Sequence, residues 1–317
     1  MKLTIILTVY NKDSFLDKSL SALLNQRGAE PSDYEILAVN DGSNDCSAAI
    51  LEEYASRDGR VRVLTQQNQG LSMARNNGVV AAKGEYVWFV DADDVISTNA
   101  VKLICQAIDS NPDVIPIYAK TDGKESVRNA VDVNSKTGKD VLKNGHWEQC
   151  GVFWILQRKF LLENNLRFMP GVYHEDAEFT PRMLYAAETV KIIPEVLYTV
   201  FVDANGITQV PRAKRAFDYL IVAESISKFV LDNGEKGTKI GRSIDYYTAQ
   251  YINNALCIIV QNNKEEQRAF EEKFYEKRLL LLRPLRAVSN LKYRIEEVMF
   301  KVFPKHYICI YKLMKRL

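Results

Sequence analysis

Within residues 1–120, short β-branched runs alternate with segments of helical period, and that alternation leaves few folds open. The runs cover residues 4–10, 34–40, 61–65, 86–90 and 114–118. Between the first two, Leu16, Leu20, Leu23 and Leu24 recur on one helical face, with Asp13 or Ser14 available as N-cap. Cys46, Ala49, Ile50 and Tyr54 mark a second helix, and Val101, Ile104, Cys105 and Ile108 a third over residues 99–109. Near-continuous apolar strands separated by helices predict an α/β fold with a mostly parallel sheet covered on both faces. Ligands of such sheets sit beyond the carboxyl ends of the strands.

Residues 120–145 are polar and rich in Gly, Asn and Lys, so an irregular excursion is expected there. Apolar structure resumes at 151–156, followed by helices over 158–164 and 175–187 and extended chain over 190–202. Beyond Pro211 the period is helical throughout, as Val222, Ile226, Phe229 and Val230 illustrate. The expected division is therefore a domain over 1–210, with halves at about 1–120 and 145–210, and a helical region over 211–317.

No apolar run reaches the ~18–20 residues that a spanning helix needs. The N-terminal stretch ends in Asn11-Lys12-Asp13 without a small-x-small cleavage site and reads as a first strand. Cys46, Cys105, Cys150, Cys257 and Cys309 are scattered and form no CxxC, which points to reduced thiols and a cytoplasmic setting. A formal charge of +2 excludes a dedicated nucleic-acid binder.

Three strand ends are polar or acidic: Tyr10-Asn11, Asn40-Asp41-Gly42-Ser43-Asn44-Asp45, and Asp91-Ala92-Asp93-Asp94. The last concentrates three carboxylates in four residues, which repel one another unless a cation binds. Hard oxygen donors of this kind suit Mg²⁺ or Mn²⁺, with coordination positions left for phosphate oxygens. The plain alternative is a solvated acidic turn ahead of the helix near Asn99. A further acidic cluster, His174-Glu175-Asp176-Ala177-Glu178, opens the helix at 175.

Four segments in order resemble the signature of family 2 glycosyltransferases. They are Thr8-Val9-Tyr10-Asn11, Asn40 to Asp45, Asn68 to Gly78 with its Ala74-Arg75-Asn76, and Gly84 to Asp94. The resemblance covers about residues 3–110, with a weaker stretch at 147–208. It implies a GT-A type, Rossmann-like fold with a helical C-terminal extension, and an inverting transferase using a nucleotide sugar, a UDP-sugar above all. By that resemblance Asp41 accepts the uracil N3–H, Tyr10 lies against the base and Arg75 orients the nucleotide. Asp91 and Asp93 would contact ribose and metal, and Asp94 would take the last, metal-bound place. Asn40 stands where many members carry a first aspartate.

The chemistry implied is displacement of a nucleoside diphosphate, for which a divalent cation stabilises the leaving charge. It also needs a carboxylate to deprotonate an acceptor hydroxyl. Glu175-Asp176 resembles the family's ED motif, making Asp176 the candidate base; the bland reading is a set of first-turn acids favoured by the helix dipole. Lone His174 is expected to orient a neighbour or face solvent. Trp147, Trp154, Phe168 and Tyr173 bracket the motif, and Trp147 and Glu175 are the candidate acceptor contacts. The resemblance fades at 198–208, where Gly206 replaces a serine and the family's arginine is missing.

From Arg278 to Leu317 there are ten Lys+Arg and two acids, a local charge of +8 that leaves −6 for residues 1–277. Phe300, Phe303, Tyr307 and Tyr311 interleave the charges, as in segments that lie on anionic membrane surfaces. The competing reading is a solvated helical surface or oligomer contact. Together these features predict a cytoplasmic enzyme, peripheral at the inner face of the membrane, acting on a glycan or lipid-linked acceptor in cell-surface polysaccharide or glycoconjugate synthesis. Two rivals come from other classes. Asp91-Ala92-Asp93-Asp94-Val95 also fits the nucleophile motif of haloacid-dehalogenase-like phosphotransferases, with Asp91 attacking. A non-catalytic nucleotide- or sugar-binding protein is the other.

Overall fold

The computed structural model describes residues 1–129, 131–202, 212–303 and 306–314. Its first four strands are β1 (Leu3–Val9), β2 (Tyr34–Asn40), β3 (Val61–Thr65) and β4 (Tyr86–Asp91). They pair in parallel in the order β3-β2-β1-β4. The helices between them are α1 (Asp13–Leu24), α2 (Ser47–Arg57) and α3 (Leu71–Ala81). Every residue of β1 and β2 is buried, as expected where helices cover both faces of a sheet. Helix α1 begins at Asp13 itself, and Lys12 before it makes no side-chain cap.

The sheet continues through β5 (Val95–Ile96), β6 (Val114–Thr121), β7 (Val127–Asn129), β8 (Trp154–Gln157) and β9 (Ile193–Val200). Beyond β4 the order runs β8-β6-β9-β5, with β7 on β6, and antiparallel pairs appear. Helices α4 (Ala100–Ile108), α5 (Gly138–Asn144), α6 (Arg158–Glu163) and α7 (Glu175–Ala186) accompany these strands. The stretch expected to be irregular thus contains β7 and α5. Their short lengths and polar composition hide any period in the sequence.

Parallel register places the site-bearing strand ends together. Val9 lies opposite Asn40, and Thr8 opposite Asp91. The residues that follow β1, β2 and β4 therefore leave the sheet at one edge. The short strand β5 returns Val95 and Ile96 against Thr199 and Tyr198 of β9, which closes the backbone around the Asp91–Asp94 turn.

The chain divides into two compact units. One comprises Met1–Val141, His146–Gly171 and Arg182–Asp203, and the other Leu142–Gly145, Val172–Pro181 and Ala204–Leu317. The second unit is built on α8 (Ala213–Asp232), α9 (Lys239–Ile259), α10 (Lys264–Ala287), α11 (Leu291–Val302) and α12 (Tyr307–Met314). Its core takes Ala223, Ile252, Leu256, Phe270 and Phe274 from the first three of these helices. Tyr293, Phe300, Tyr307 and Tyr311 are buried in the same core, so four of the tail's five aromatics pack inward and only Phe303 is exposed. All five cysteines are free, and among the described residues no helix is long and apolar enough to cross a membrane.

Candidate active site

Asp41 follows β2 and is 4% exposed. Its Oδ1 accepts hydrogen bonds from Gln66 Nε2 at 2.7 Å and the Gln69 backbone N–H at 2.8 Å, while Oδ2 accepts the Gly70 N–H at 2.8 Å. Asp41 therefore organises the loop entering α3, and the Gly42–Asp45 turn is held by other groups. There Asn40 Oδ1 accepts the Ser43 N–H, and Asp45 Oδ1 accepts the Ser47 N–H. Gly42 is required by geometry: its φ is +71°, and a Cβ would lie 2.8 Å from the Asn68 nitrogen. Asn11, at φ +50°, ties the first strand end to the second by donating its N–H to Ser43 Oγ and accepting the Asn44 N–H.

Tyr10 stands at the rim, 46% exposed. Arg75 lies beneath, 2% exposed, with its guanidinium over the rings of Phe168 at 5.2 Å and Phe89 at 5.8 Å. Its Nη2 donates to Asp91 Oδ1 at 3.1 Å, and Thr8 Oγ1 donates to the same oxygen at 3.3 Å. The resemblance gives Arg75 the part of orienting the nucleotide; in the structure its guanidinium reaches Asp91, the carboxylate that the resemblance sets at the ribose and metal.

The other two carboxylates have separate partners. Lys12 Nζ pairs with Asp93 Oδ2 at 2.7 Å. Asp94 is buried, and accepts from the Tyr198 hydroxyl at 2.8 Å and the Phe201 N–H at 2.8 Å. The same hydroxyl accepts the Asp91 N–H at 3.1 Å. Burial, reinforced by the charge of Asp91, pushes the Asp94 carboxyl up to about 7. Lys12 and Tyr198 are the positioning residues that motif reading passed over. Lys12 sits directly after Asn11, but the Tyr198 pairing spans over a hundred residues and leaves no local trace. Gly206, Ile207 and Thr208 lie outside the described residues.

Asp176 and Glu175 belong to the second unit, at the first turn of α7. Glu175 is buried and Asp176 half-buried. Beside them the Tyr173 N–H donates to Asp218 Oδ2 at 2.8 Å. His174 is not solvated: its ring stacks on Tyr219 at 3.7 Å, and burial, with the Arg215 charge, lowers its pKa to about 4. Its backbone φ of +66° makes it the left-handed residue immediately before the helix. Trp147 is 2% exposed and bridges Val131, and Trp154 and Phe168 are core residues too.

Whether a divalent cation fits can be tested on the donors themselves. Asp91 and Asp93 are a third and a fifth exposed, and Arg75 and Lys12 each engage one oxygen of them. The second oxygens, Asp91 Oδ2 and Asp93 Oδ1, are hard donors suited to Mg²⁺ or Mn²⁺. Among the described residues no three carboxylate, His or Cys side chains converge as a full cage. A set of one or two carboxylates fits a cation that completes its shell with phosphate and water.

Residues 4–163, half of the chain, match the family described as glycosyl transferase family 2. The chain belongs to that family. One relative, the uncharacterized glycosyltransferase EpsJ of Bacillus subtilis (strain 168), is 35% identical over 221 residues. That match covers 66% of this chain and 63% of the relative, so the chain spans less than two thirds of its length. Among solved structures, S. aureus TarS 1–349 in complex with UDP-GlcNAc has a TM-score of 0.71 at 20% identity, covering 91% of this chain and 84% of TarS. Mannosyltransferase PcManGT from Pyrobaculum calidifontis, in complex with GDP-Man and Mn²⁺, has a TM-score of 0.55 at 14% identity, covering 100% of this chain and 88% of that one. These likenesses identify the fold of this family 2 member as GT-A, with a helical C-terminal extension.

Proposed function

We propose that the chain transfers a sugar from a UDP-sugar to a hydroxyl of a glycan or lipid-linked acceptor, with inversion at the anomeric carbon. The observation carrying this reading is the shared edge at which Tyr10, Asp41 and the Asp91–Asp94 turn leave parallel strands, with every carboxylate held by a named partner. The TarS complex with UDP-GlcNAc supports a UDP-sugar donor, and the PcManGT complex supports a divalent ion.

In this reading Tyr10 offers its exposed ring to the base, and Asp41 holds the 66–70 loop while receiving the uracil N–H. Asp91, aligned by Arg75 and Thr8, binds the ribose. Asp93 would hold the cation through its second oxygen, and Asp94 would join it by giving up its bond to the Tyr198 hydroxyl or the Phe201 N–H; the cation when bound would neutralise charge on the leaving diphosphate. Asp176, at the positive end of α7, takes the proton of the acceptor hydroxyl. Glu175 lies next to the acceptor, and Trp147 shapes the acceptor side from within the core. Residues 1–210 would carry catalysis, and residues 278–317 would face an anionic membrane at its cytoplasmic side.

A thermal-shift screen of UDP-, GDP- and dTDP-sugars with and without Mn²⁺ tests the donor. Selective stabilisation by a UDP-sugar is expected, and Asp94→Asn should abolish its metal dependence. Unchanged Mn²⁺-linked UDP affinity in Asp94→Asn would refute the metal assignment. Release of phosphate from p-nitrophenyl phosphate, abolished by Asp91→Asn, would instead select the phosphotransferase.

A further inference from the structure

The helical unit contains a cavity of about 740 Å³ that the nucleotide-sugar reading does not use. Five cations line it: Lys236, Arg278, Arg283, Arg286 and Lys301. Two buried carboxylates hold three of them. Asp245, 1% exposed, pairs with Arg283, and Glu297 Oε1 accepts from Arg286 Nε at 2.9 Å and Lys301 Nζ at 2.8 Å. Lys236 and Arg278 have no carboxylate partner among the described residues, and Arg278 instead lies over the Tyr275 ring at 4.1 Å. Arg283 Nε is buried with no hydrogen-bond acceptor. Five positive charges against two negative ones call for an anion, and guanidinium forks suit phosphate oxygens.

The walls are also apolar. Leu279, Leu282 and Phe300 are part of the lining, and Leu279 is 84% exposed. A second observation lies on α11. Leu291, Ile295, Val298 and Val302 are exposed by 74, 41, 55 and 59%. Their spacing of i, i+4, i+7 and i+11 makes one continuous stripe. The opposite face, carrying Tyr293, Met299 and Phe300, is buried in the core. A helix apolar on both sides, with one side in water, needs an apolar partner for the other. Lys292 flanks the stripe on one side, and Arg294 and Lys301 on the other. Nucleic acid and phosphopeptides would satisfy the charges but leave the stripe in water.

We propose that the cavity binds the phosphate headgroup of an anionic lipid and that the α11 stripe enters the acyl boundary of the bilayer. This rests on reading residues 278–317 as membrane-facing. It assigns the contact to a pocket and a helix face, and makes the basic charge a lipid site. Of the tail's buried aromatics, only Phe300 lines the cavity.

The test uses the full chain. It should co-float with phosphatidylcholine vesicles containing 20% phosphatidic acid and stay behind with phosphatidylcholine alone. Lys236→Gln with Arg278→Gln, neither held by a carboxylate, should weaken flotation about tenfold or more. Val298→Ser with Val302→Ser should weaken it too, whereas Lys228→Gln with Lys273→Gln, exposed cations outside the cavity, should not. Monomeric dihexanoyl phosphatidic acid should raise the Tm where equal inorganic phosphate does not, an outcome independent of vesicles, donor or transfer. The proposal is overturned if the Lys236/Arg278 pair binds like wild type or the control pair loses as much. It is overturned equally if inorganic phosphate stabilises as well as the lipid, which would make this a site for soluble phosphate. Failure here with UDP-sugar binding retained would leave the donor reading intact.

Discussion

The Tyr198 hydroxyl donates to Asp94 Oδ2 at 2.8 Å, joining the end of the sheet's late strand β9 to the last carboxylate of the acidic turn. Because it also accepts the Asp91 N–H, one side chain fixes both ends of that turn.

Tyr198→Phe should therefore reach beyond one lost hydrogen bond. It strips a donor from a buried carboxylate and leaves the Asp91 N–H without its acceptor, so a stability loss of about 1–3 kcal/mol is expected. Donor affinity should fall as well, because Asp91 and Asp94 lose their shared support. Chemical denaturation and donor titration of the variant check both; a change in stability alone would make Tyr198 structural only.

Asp41→Asn keeps the shape of the side chain but puts an amide where three donors converge. The Gln69 and Gly70 N–H groups cannot both find an acceptor, so a loss of roughly 1–3 kcal/mol is expected. Hydrogen exchange should accelerate at Gln69 and Gly70, with the strands β1 and β2 still protected. Uniform acceleration across the sheet would contradict a local role for Asp41.

Much of this architecture was legible in the sequence because its signals are local. The β-branched run at 61–65 and the leucines of α1 carry their period within a dozen residues, and strand ends point to a site through the register alone. Lys12 and Tyr198 were not legible, because their roles arise only when distant segments meet the acidic turn. The tail misled in a different way. Phe300, Tyr307 and Tyr311 have the spacing of a surface-seeking helix, yet the core of the helical unit takes them. The stripe left outside is made of Leu291, Ile295, Val298 and Val302. Trp147 shows the same limit, since polar neighbours in sequence did not keep its ring at the surface.

Gly42→Ala should destabilise the site-bearing edge in isolation. A Cβ there meets backbone at 2.8 Å and forces an alanine to hold φ +71°. A cost of about 1–3 kcal/mol is expected, read as a lowered denaturation midpoint at unchanged m-value. Gly59→Ala is the matched control, because a Cβ at Gly59 meets nothing within 4 Å.

His174 gives the fold a pH signature. Its pKa near 4 lies below the ordinary value of 6.5, so between these the unfolded chain binds more protons than the native one. Stability from this group is full above about 6.5 and is lost as the pH falls towards 4. His174→Asn keeps a residue tolerant of the left-handed backbone and removes the titration. Its stability should fall less steeply than wild type from pH 6.5 to 4, as denaturation midpoints would show. Parallel curves would mean the imidazole does not titrate in this way.

The base assignment makes the sharpest demand. Asp176 lies at the first turn of α7 in the helical unit, whereas the donor contacts proposed for Tyr10, Asp41 and Asp91 belong to the other unit. Asp176→Asn preserves size and hydrogen-bonding shape but cannot accept the acceptor's proton. Donor affinity measured by titration should stay within about twofold of wild type, while transfer falls by roughly 10²–10⁴. A variant with near-normal turnover would remove Asp176 as the base. Loss of donor affinity in parallel with transfer would instead recast it as a residue that shapes the donor site.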